Sequence, residues 1–576
     1  MEIKLAKTAG FCMGVRRAVD TVLDVSQHET GRRIYTYGPL IHNPQTIKLL
    51  KNRGITAIKS IDEISDRENA LLVIRAHGIP PDERKKIKES GVKIIDATCP
   101  KVAYVQAIIK KHTALGYTVI IVGDSEHPEV DGLWGYTEDR GIIVSTLEDA
   151  EKLPAIEKVC IVAQTTQDTD HYRHIVQKIQ EKNPQVVVFN TICSSTEKRQ
   201  EDIISLAKEM DALFVVGGKN SANTCRLADL AQKQNTPTFH IETAEEIENI
   251  DLASYKSIGV SAGASTPNWI IDQVMDKIAQ TSSSPHQKMS FVFKLWLWMV
   301  KTNFYSALGA GCLALAGMLL QKIPVRISSI AIASFFVYAM HVLNRLTTSR
   351  QSGLIGSFRE KSYLQHKKYY RLAAVVSLML ALGLSLANSM FSFFFLFLIS
   401  LAGVLYNMKI LPGRRRFQRL RDIPGSKNIF IASAWGMVTA VLPALNLNQH
   451  FNAGMAVAFI FTFTLVFVRS AMSDIMDIQS DKLLGRETIP VVMGEEKTQV
   501  LLKIIVSILL VILLISAPAG WSSTLSIFLI LCLLYIWICF RLCDRRSGFS
   551  GALIEGLLET SYIIAGFAVF CWFILS

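Results

Sequence analysis

The sequence predicts an α/β part built from three comparable units, followed by an all-α part of about nine helices that spans a membrane several times. Two observations support this division. Three cysteines in the first two hundred residues each stand where a strand-like apolar run gives way to an amphipathic helix. The composition then changes abruptly near residue 285 of the 576, where long apolar segments begin.

The cysteines are Cys12, Cys99 and Cys193, separated by 87 and 94 residues. A helix N-terminus favours the thiolate, the form that binds metals, so the recurrence predicts one shared metal centre. A four-iron cluster needs a ligand on each iron, and three cysteines would leave one iron open to a substrate. The alternative is that free cysteines are small buried hydrophobes. We interpret Cys160 and Cys225, which lack this placement, as core or incidental residues.

Three histidines also lie just past strand-like runs: His42 in GPLIHNP, His77 in LLVIRAHGIP and His127 in VIIVGDSEHPEV. A single histidine in such a loop is more often structural, but three at equivalent points favour a phosphate-rich ligand. Glu129 is the one carboxylate of these strings that we single out, as a proton relay beside an open iron site. Taken without context, a solvated loop glutamate is the commoner alternative.

Small polar side chains follow other apolar runs and precede helices. Together with neighbouring glycines they would let a diphosphate approach the backbone closely, although each string alone is an ordinary turn. These residues are Thr165 and Thr166 in AQTTQ, Ser221 and Asn223 in GGKNSANT, and Ser265 in SAGASTP.

Charge separates the two parts. Residues 286 to 576 carry 27 Lys and Arg against 11 Asp and Glu, a net +16, whereas residues 1 to 285 carry 34 against 38, a net −4. The basic residues lie in short connections between apolar segments, which favours orientation in a bilayer and argues against nucleic-acid binding. No apolar signal run precedes the first strand, so we expect the first part to stay in the cytoplasm, where thiols remain reduced.

Nine apolar segments follow a polar linker, Ser282 to His286, and most are long enough to span a bilayer. They cover residues 304 to 320, 327 to 344, 372 to 388, 391 to 408, 429 to 446, 453 to 472, 501 to 516, 524 to 540 and 561 to 575. Connections after the even-numbered segments are basic, carrying Lys367, Lys368 and Arg371, then Arg414, Arg415 and Arg416, then Lys482 and Arg486, then Arg545 and Arg546. The positive-inside rule makes these connections cytoplasmic and places the C-terminus outside.

The strings GFCMGVRRAV, HNP, RAHG, DATCPKV, EHPEVDG, NTICSSTEKRQ, KNSAN and SAGASTP, in this order over about 280 residues, closely resemble the 4-hydroxy-3-methylbut-2-enyl diphosphate reductase (LytB/IspH) family. The resemblance implies three pseudo-symmetric α/β units around a 4Fe-4S cluster held by Cys12, Cys99 and Cys193. The open iron would take the substrate's allylic hydroxyl.

The resemblance also implies substrate contacts. Their residues would be His42, His77, His127, Thr165, Ser221, Ala222, Asn223 and Ser265. Ala222 stands where many members carry a second serine, which would tune affinity without abolishing activity.

The implied reaction is a two-electron, two-proton reductive dehydroxylation that yields isopentenyl and dimethylallyl diphosphates in the non-mevalonate pathway. Glu129, hydrogen-bonded to Thr165, would help to deliver the protons. Electrons would come from an external one-electron donor such as ferredoxin or flavodoxin.

In the membrane part, Asp474, Asp477 and Asp481 follow the sixth segment at spacings of three and four, so we expect them to share a helix face at the cytoplasmic interface. Clustered carboxylates suit Mg²⁺ that bridges to a diphosphate. With the Gly485, Arg486, Thr488 and Pro490 that follow, this string resembles the second aspartate-rich motif of the UbiA family of membrane prenyltransferases.

The first aspartate-rich motif of that family should lie in YAMHVLNRLTTSRQ. Asn344 matches its leading asparagine, but Arg345 and Thr348 replace expected acids. Arg345 and Arg350 would instead pair directly with a phosphate. Two interpretations stay open: active prenyl transfer from a long-chain prenyl diphosphate to an acceptor, or a noncatalytic lipid-binding anchor and scaffold. A transporter of isoprenoid lipids has weaker support.

We therefore expect a reductase domain over residues 1 to 281, a linker and interfacial segment over 282 to 300, and a UbiA-like membrane domain over 301 to 576. The expected location is the inner (cytoplasmic) membrane, with the reductase in the cytoplasm and the membrane domain in contact with lipid.

Overall fold

A computed structural model describes the chain except residues 30, 184, 282–290, 353–365, 407–419, 421, 422, 424, 448, 449, 485, 545–550 and 576. Contacts divide the chain into two compact units, Met1–Ser284 and Pro285–Ser576. The linker Ser282 to His286, Gly485, and the basic groups Arg414 to Arg416 and Arg545 with Arg546 lie outside the described residues.

The first unit contains three four-stranded sheets, in which all strand pairs are parallel. The strands are β1 (Glu2–Leu5), β2 (Arg33–Tyr37), β3 (Ile55–Ile58), β4 (Ala70–Ile74), β5 (Lys93–Asp96), β6 (Thr118–Val122), β7 (Gly141–Val144), β8 (Val159–Ala163), β9 (Val186–Val188), β10 (Ala212–Val216), β11 (Thr238–Ile241) and β12 (Ser257–Ala262). Strands β4, β8 and β10 are buried throughout. Such continuous apolar runs are typical of parallel strands covered on both faces.

The three sheets repeat one topology. Their orders are β3-β2-β4-β5, β7-β6-β8-β9 and β11-β10-β12-β1. In the last sheet the chain's first strand takes the place that β5 and β9 hold in the others. The predicted three comparable α/β units are therefore present, and they are related by a pseudo-threefold arrangement of connectivity.

Nine α-helices connect these strands, and a tenth follows β12. They are α1 (Met13–His28), α2 (Pro44–Asn52), α3 (Pro81–Glu89), α4 (Pro100–Ala114), α5 (Pro128–Trp134), α6 (Leu147–Lys152), α7 (Thr169–Lys182), α8 (Ser194–Glu209), α9 (Ala222–Gln232) and α10 (Asn268–Thr281). Proline occupies the first turn of α2, α3, α4 and α5, where its missing N–H leaves no hydrogen bond unmade.

The second unit is all-α. Its α-helices are α11 (Phe291–Thr302), α12 (Phe304–Leu320), α13 (Ile327–Ser352), α14 (Lys367–Asn388), α15 (Met390–Leu405), α16 (Ser426–Gly436), α17 (Leu442–Leu445), α18 (Ala453–Met476), α19 (Ile478–Leu484), α20 (Ile489–Met493), α21 (Glu495–Ser516), α22 (Leu525–Phe528), α23 (Ile530–Asp544) and α24 (Gly551–Leu575). A π-helical turn, Met437–Val441, joins α16 to α17.

Most of the nine predicted apolar segments are long enough to span, as expected, but not all of them are. Among the described residues, seven helices are long and apolar enough to cross a membrane, or eight if α11 and α12, bent by 86°, count as one span. Helix α15 has 16 residues, about 24 Å of helix, whereas a bilayer core is roughly 30 Å thick. The predicted apolar segment at 391 to 408 is therefore a helix, but this helix is too short for a complete span.

Candidate active site

Each of the three predicted cysteine ligands stands at the same place in its unit. Cys12, Cys99 and Cys193 follow β1, β5 and β9, the fourth strands of the three sheets, and are the N-cap residues of α1, α4 and α8. Because carboxyl ends of parallel strands meet at one edge of a sheet, the repeat places each thiol at the corresponding edge. The Cys12 thiol accepts a hydrogen bond from Val15 N at 3.4 Å.

The space between these thiols is narrow. A Cβ on Gly14 would lie 2.6 Å from Cys99 Sγ and 4.0 Å from Cys12 Sγ, so only glycine fits beside both sulfurs. Arg199 is buried and donates to the carbonyls of Gly10 at 2.6 Å and Ala262 at 3.2 Å. A buried positive charge therefore lies within electrostatic reach of Cys12 and Cys193.

Burial opposes the helix N-terminus at one thiol. Burial, and to a lesser extent the Cys12 and Cys193 thiols, raise the pKa of Cys99, although the Lys101 and Val102 N–H groups act in the opposite direction. Three thiolates close together would repel one another, and a bound cation would stabilise them because metal coordination requires the deprotonated form. The donor set therefore fits a metal group with thiolate ligands.

The three predicted histidines come together. Their ring centroids are 4.9 Å apart for His42 and His77, 5.7 Å for His42 and His127, and 5.5 Å for His77 and His127. Their nearest ligand atoms lie within 4.8 Å of one another, a spacing that could also hold a metal ion. His42 Nε2 and His77 Nδ1 are buried without a hydrogen-bond partner, so each retains an open bonding position.

These imidazoles favour the neutral form. Burial, followed by the charge of Arg75, lowers the pKa of His42. Burial and the other two histidines hold the pKa of His77 well below its ordinary value, and burial lowers the pKa of His127 to about 4. An anion placed among them would raise all three pKa values, because an opposite charge stabilises the imidazolium.

The predicted small polar residues lie at matching strand ends. Ser221 caps α9 after β10, and Ser265 follows β12. Ser265 Oγ lies 3.5 Å from Ser221 Oγ and donates to the carbonyl of His42 at 3.1 Å. Asn223 Nδ2 is buried without a partner. Ala222 begins α9 and is half-buried.

The predicted hydrogen bond between Glu129 and Thr165 is present in duplicate. Thr165 N donates to Glu129 Oε1 at 2.6 Å, and Thr165 Oγ1 donates to Oε2 at 2.9 Å. Glu129 is 2% exposed. Burial raises its pKa above the ordinary value even though both hydrogen bonds lower it. The loop-glutamate alternative, which requires solvation, is therefore excluded.

Several residues at this site had no predicted role. Arg226 on α9 donates to Thr166 O at 3.0 Å and to Asp124 Oδ1 at 2.6 Å. Gln164 accepts from Asp124 N and donates to Thr166 Oγ1, each at 3.0 Å. The sequence pointed to these residues only through their position, because all of them lie within a few residues of a predicted site residue. Cys160 is buried in β8 as expected, and Cys225 Sγ lies 3.1 Å from Lys219 O.

In the helical unit, Pro285–Ser576, the three aspartates predicted to share a helix face do not lie on one continuous helix. Helix α18 ends at Met476 with Asp477 as its C-cap, and Asp481 belongs to α19. Asp474 and Asp481 are buried, whereas Asp477 is exposed. The three side chains therefore differ in exposure, and Asp481 N still donates to Asp477 O at 2.8 Å across the helix break.

The buried acids already have cationic or amide partners. Asp474 accepts from Lys427 Nζ at 2.6 Å and from Asn428 Nδ2 at 2.9 Å. Asp481 Oδ1 accepts from Arg486 NH1 at 3.3 Å, while Oδ2 is buried without a partner.

The predicted phosphate partner Arg345 is engaged elsewhere. Its guanidinium pairs with Glu555 of α24 at 3.3 Å. Asn344 is half-buried beside it on α13. The side chains of Thr348 and Arg350 lie outside the described residues. A second ion pair, Arg469 with Glu559, connects α18 to α24.

Comparison with known proteins decides the family. Residues 3–279 match the family model described as LytB protein. The 4-hydroxy-3-methylbut-2-enyl diphosphate reductase of Alkaliphilus oremlandii (strain OhILAs) is 42% identical over 280 residues, which are 48% of this chain and 99% of that protein. The chain belongs to the LytB family. The 4-hydroxy-3-methylbut-2-enyl diphosphate reductase of Aquifex aeolicus (strain VF5) is 44% identical over 283 residues, which are 49% of this chain and 96% of that protein.

Solved structures resemble the two parts separately. "Structure of (E)-4-Hydroxy-3-methyl-but-2-enyl Diphosphate Reductase, the Terminal Enzyme of the Non-Mevalonate Pathway" is 43% identical, with 49% of this chain and all of that chain covered at a TM-score of 0.39. Residues 365–555 match the UbiA prenyltransferase family model. A UbiA homolog from Archaeoglobus fulgidus bound to DMAPP and Mg²⁺ is 16% identical. The match covers 48% of this chain and 99% of that chain, at a TM-score of 0.34. The LytB part is thus fused to a UbiA-family membrane domain.

Proposed function

We propose that the LytB part reduces 4-hydroxy-3-methylbut-2-enyl diphosphate to isopentenyl and dimethylallyl diphosphates in the non-mevalonate pathway. The observation that carries the proposal is the threefold repeat, which gives Cys12, Cys99 and Cys193 equivalent positions after the fourth strands. Histidines and hydroxyl residues follow the two central strands of each sheet, β2 and β4, β6 and β8, and β10 and β12. One site thus combines a thiolate donor set with groups suited to a diphosphate.

The three cysteines would hold a 4Fe-4S cluster. The cluster would supply one-electron transfers and, at the iron without a cysteine ligand, a position for the substrate oxygen. Gly14 leaves room beside Cys99 and Cys12, and buried Arg199 offsets thiolate charge. Electrons would come from an external one-electron donor such as ferredoxin or flavodoxin.

The diphosphate would lie among His42, His77 and His127 on one side and Ser221, Asn223 and Ser265 on the other. The unpartnered His42 Nε2, His77 Nδ1 and Asn223 Nδ2 provide donors for an anion. The free N–H groups at the start of α9 add further donors. These groups would orient the allylic end of the substrate towards the cysteines.

Glu129 would hold and move a proton. Burial raises its pKa, which favours the protonated carboxyl, and its two hydrogen bonds fix the carboxyl orientation. The overall change breaks one C–O bond, consumes two electrons and two protons, forms one C–H bond and releases water.

The ligand set can be tested in the full-length chain, reconstituted anaerobically with iron and sulfide in lipid. We expect Cys12→Ser, Cys99→Ser and Cys193→Ser each to lower bound iron and to abolish formation of the two products. Cys225→Ser is the matched control, since its thiol lies by Lys219 O and outside the proposed set. Full activity in two or more of the first three variants would refute the assignment.

For the membrane domain we propose a site for a long-chain prenyl diphosphate with Mg²⁺, formed at Asp474, Asp477 and Asp481. Support comes from the exposed Asp477 carboxylate and from the unpartnered Asp481 Oδ2, since Mg²⁺ prefers carboxylate oxygens. Lys427, next to Asp474, offers a cation for phosphate oxygens. Transfer to an acceptor would make this domain a prenyltransferase; otherwise it would be a lipid-binding anchor.

Mg²⁺-dependent pyrophosphate release separates these two roles. The full-length chain in lipid would receive a long prenyl diphosphate and a lipid extract of the source cells. Release that is lost in Asp477→Ala and kept in Glu496→Ala, an exposed acid elsewhere in the unit, would establish transfer. The absence of release from the folded wild type would favour the anchor.

The protein is a membrane protein, and we propose the inner (cytoplasmic) membrane with the LytB part in the cytoplasm. Helix α11 turns by 86° into α12 at Asn303. Phe291, Val292 and Trp298 on α11 are exposed. A helix with exposed aromatic and apolar groups beside a span suits the membrane interface, in contact with lipid.

A further inference from the structure

Arg226 connects two of the three α/β units of the LytB part. It lies on α9, which follows β10 of one sheet, and it contacts the loops after β6 and β8 of another. One terminal nitrogen donates to Thr166 O at 3.0 Å and the other to Asp124 Oδ1 at 2.6 Å. The Arg226 side chain is only 15% exposed, whereas the Asp124 side chain is 44% exposed.

The loop that Arg226 holds is the one that binds Glu129. Thr165, directly before Thr166, donates to both Glu129 oxygens. The carbonyl of Thr165 accepts from Cys193 N at 2.9 Å and from Thr196 Oγ1 at 3.0 Å. Displacement of this loop would therefore move the carboxyl of Glu129 relative to the cysteine site.

The same helix begins at the proposed diphosphate cradle. Ser221 is its N-cap, and Asn223 lies three residues before Arg226, one helical turn away on the same side. A rigid helix turn thus separates the cradle residues from the guanidinium that fixes the Thr165–Thr166 loop. No other residue that we describe at this site joins α9 to both Asp124 and Thr166.

We propose that Arg226 is a positioning residue that holds the Glu129 loop in register with the diphosphate cradle. This inference rests on the proposed reductase function. Binding of the diphosphate at the start of α9 would also fix the Arg226 guanidinium, which donates to Thr166 and Asp124. Alignment of Glu129 with the reacting carbon then follows from the same event that anchors the substrate.

The charge of Arg226 supports this geometry. It lowers the pKa of Glu129 and thereby opposes part of the effect of burial. Asp124, also in contact with Arg226, acts on Glu129 in the opposite direction. The ion pair is therefore close enough to Glu129 to influence its proton as well as its position.

Arg226→Gln in the reconstituted full-length chain tests the proposal. A displaced general acid typically costs on the order of 100-fold in rate, so we expect kcat to fall by that order while KM changes less than about threefold. Bound iron should equal that of the wild type. Lys277→Gln is the matched control: it removes a partly buried ion pair, Lys277 with Glu248 at 2.6 Å, on α10, and should leave kcat unchanged.

The double variant with Glu129→Gln distinguishes positioning from general stabilisation. If Arg226 acts through Glu129, adding Arg226→Gln to Glu129→Gln should lower kcat by no more than about twofold, because coupled residues are non-additive. A multiplicative loss would overturn the proposal, as would an unchanged kcat in Arg226→Gln.

Asp124→Asn provides a second route if Arg226→Gln folds poorly. It removes the ion pair but leaves the Thr166 contact available, so a smaller kcat loss with the same non-additivity is expected. A multiplicative loss in Asp124→Asn with Glu129→Gln would again overturn the proposal. An inactive wild type containing its cluster would refute the reductase function itself, whereas an active wild type with a normal Arg226→Gln refutes only the role of Arg226.

Discussion

Both carboxylate oxygens of Glu129 are bound by one residue, Thr165, through its N–H at 2.6 Å and its hydroxyl at 2.9 Å. The backbone carbonyl of Thr165 accepts a hydrogen bond from Cys193 N at 2.9 Å. One residue therefore connects the proposed proton donor to a proposed cluster ligand, and the geometry of the two cannot change independently.

Glu129→Gln should bind substrate but turn over poorly. The amide keeps the size of the side chain but cannot deliver a proton, so kcat should fall by about 100-fold or more with little change in KM. Steady-state rates of the reconstituted chain provide the measurement. Wild-type turnover in this variant would remove Glu129 from the mechanism.

Substrate binding should take up protons at neutral pH. Burial keeps the pKa of His127 at about 4 and lowers that of His42, so the empty site holds neutral imidazoles. A bound diphosphate raises these pKa values. This contribution to affinity is complete below the free-site pKa, about 4 for His127, and is lost as pH rises through the bound-state pKa.

Calorimetry in buffers of different ionisation enthalpy measures this uptake. His127→Asn should reduce it, whereas His174→Asn, an exposed histidine on α7, should not. Binding without proton uptake at pH 7 would show that the diphosphate does not meet the histidine group.

Local sequence patterns were sufficient for the elements that carry the site. Each cysteine followed an apolar run and preceded an amphipathic helix, and the structure has each as an N-cap. The contacts of Arg226 could not be predicted in this way, because Asp124 lies 102 residues away. Such contacts depend on how separate units pack and leave no local signal.

The helix break at Asp477 was missed for a related reason. Spacings of three and four are compatible with a continuous helix, and no glycine or proline occurs between Asp474 and Asp481. The partners of these acids, Lys427 and Arg486, are set by tertiary packing. Arg345 likewise finds Glu555 from a helix 210 residues further along.

Gly14→Ala should weaken the cluster. An added Cβ would lie 2.6 Å from Cys99 Sγ, so the sulfur must shift. Changes next to metal ligands commonly cost about 10- to 100-fold in metal affinity. Iron retention against a chelator measures the effect.

Gly383→Ala is the control for Gly14→Ala, since a Cβ at Gly383 meets no atom within 4 Å. Equal iron retention in both variants would show that Gly14 does not border the cluster site.

Ala222→Ser should tighten substrate binding. A serine at the start of α9, beside Ser221, would add one hydrogen bond to the diphosphate, worth about 1 kcal/mol, so KM should fall about fivefold with kcat unchanged. Ala222→Cys, similar in size but a weak donor, should leave KM near the wild-type value. An unchanged KM in the serine variant would place residue 222 outside the cradle.

A tag at the C-terminus should be accessible from outside the cytoplasmic membrane of intact cells. This outcome requires an odd number of crossings. The seven long helices give an odd number, so the 16-residue helix α15 and the bent α11–α12 pair must either both cross or both not cross. An N-terminal tag should stay protected until the cells are opened. A protected C-terminal tag would mean that one apolar segment does not cross.

The central claim is tested most directly by mass spectrometry of the products from the full-length, anaerobically reconstituted chain in lipid, supplied with a low-potential one-electron reductant and 4-hydroxy-3-methylbut-2-enyl diphosphate. The account predicts consumption of the substrate with formation of both isopentenyl and dimethylallyl diphosphates. A chain that binds its iron and sulfide but returns the substrate unchanged would contradict it.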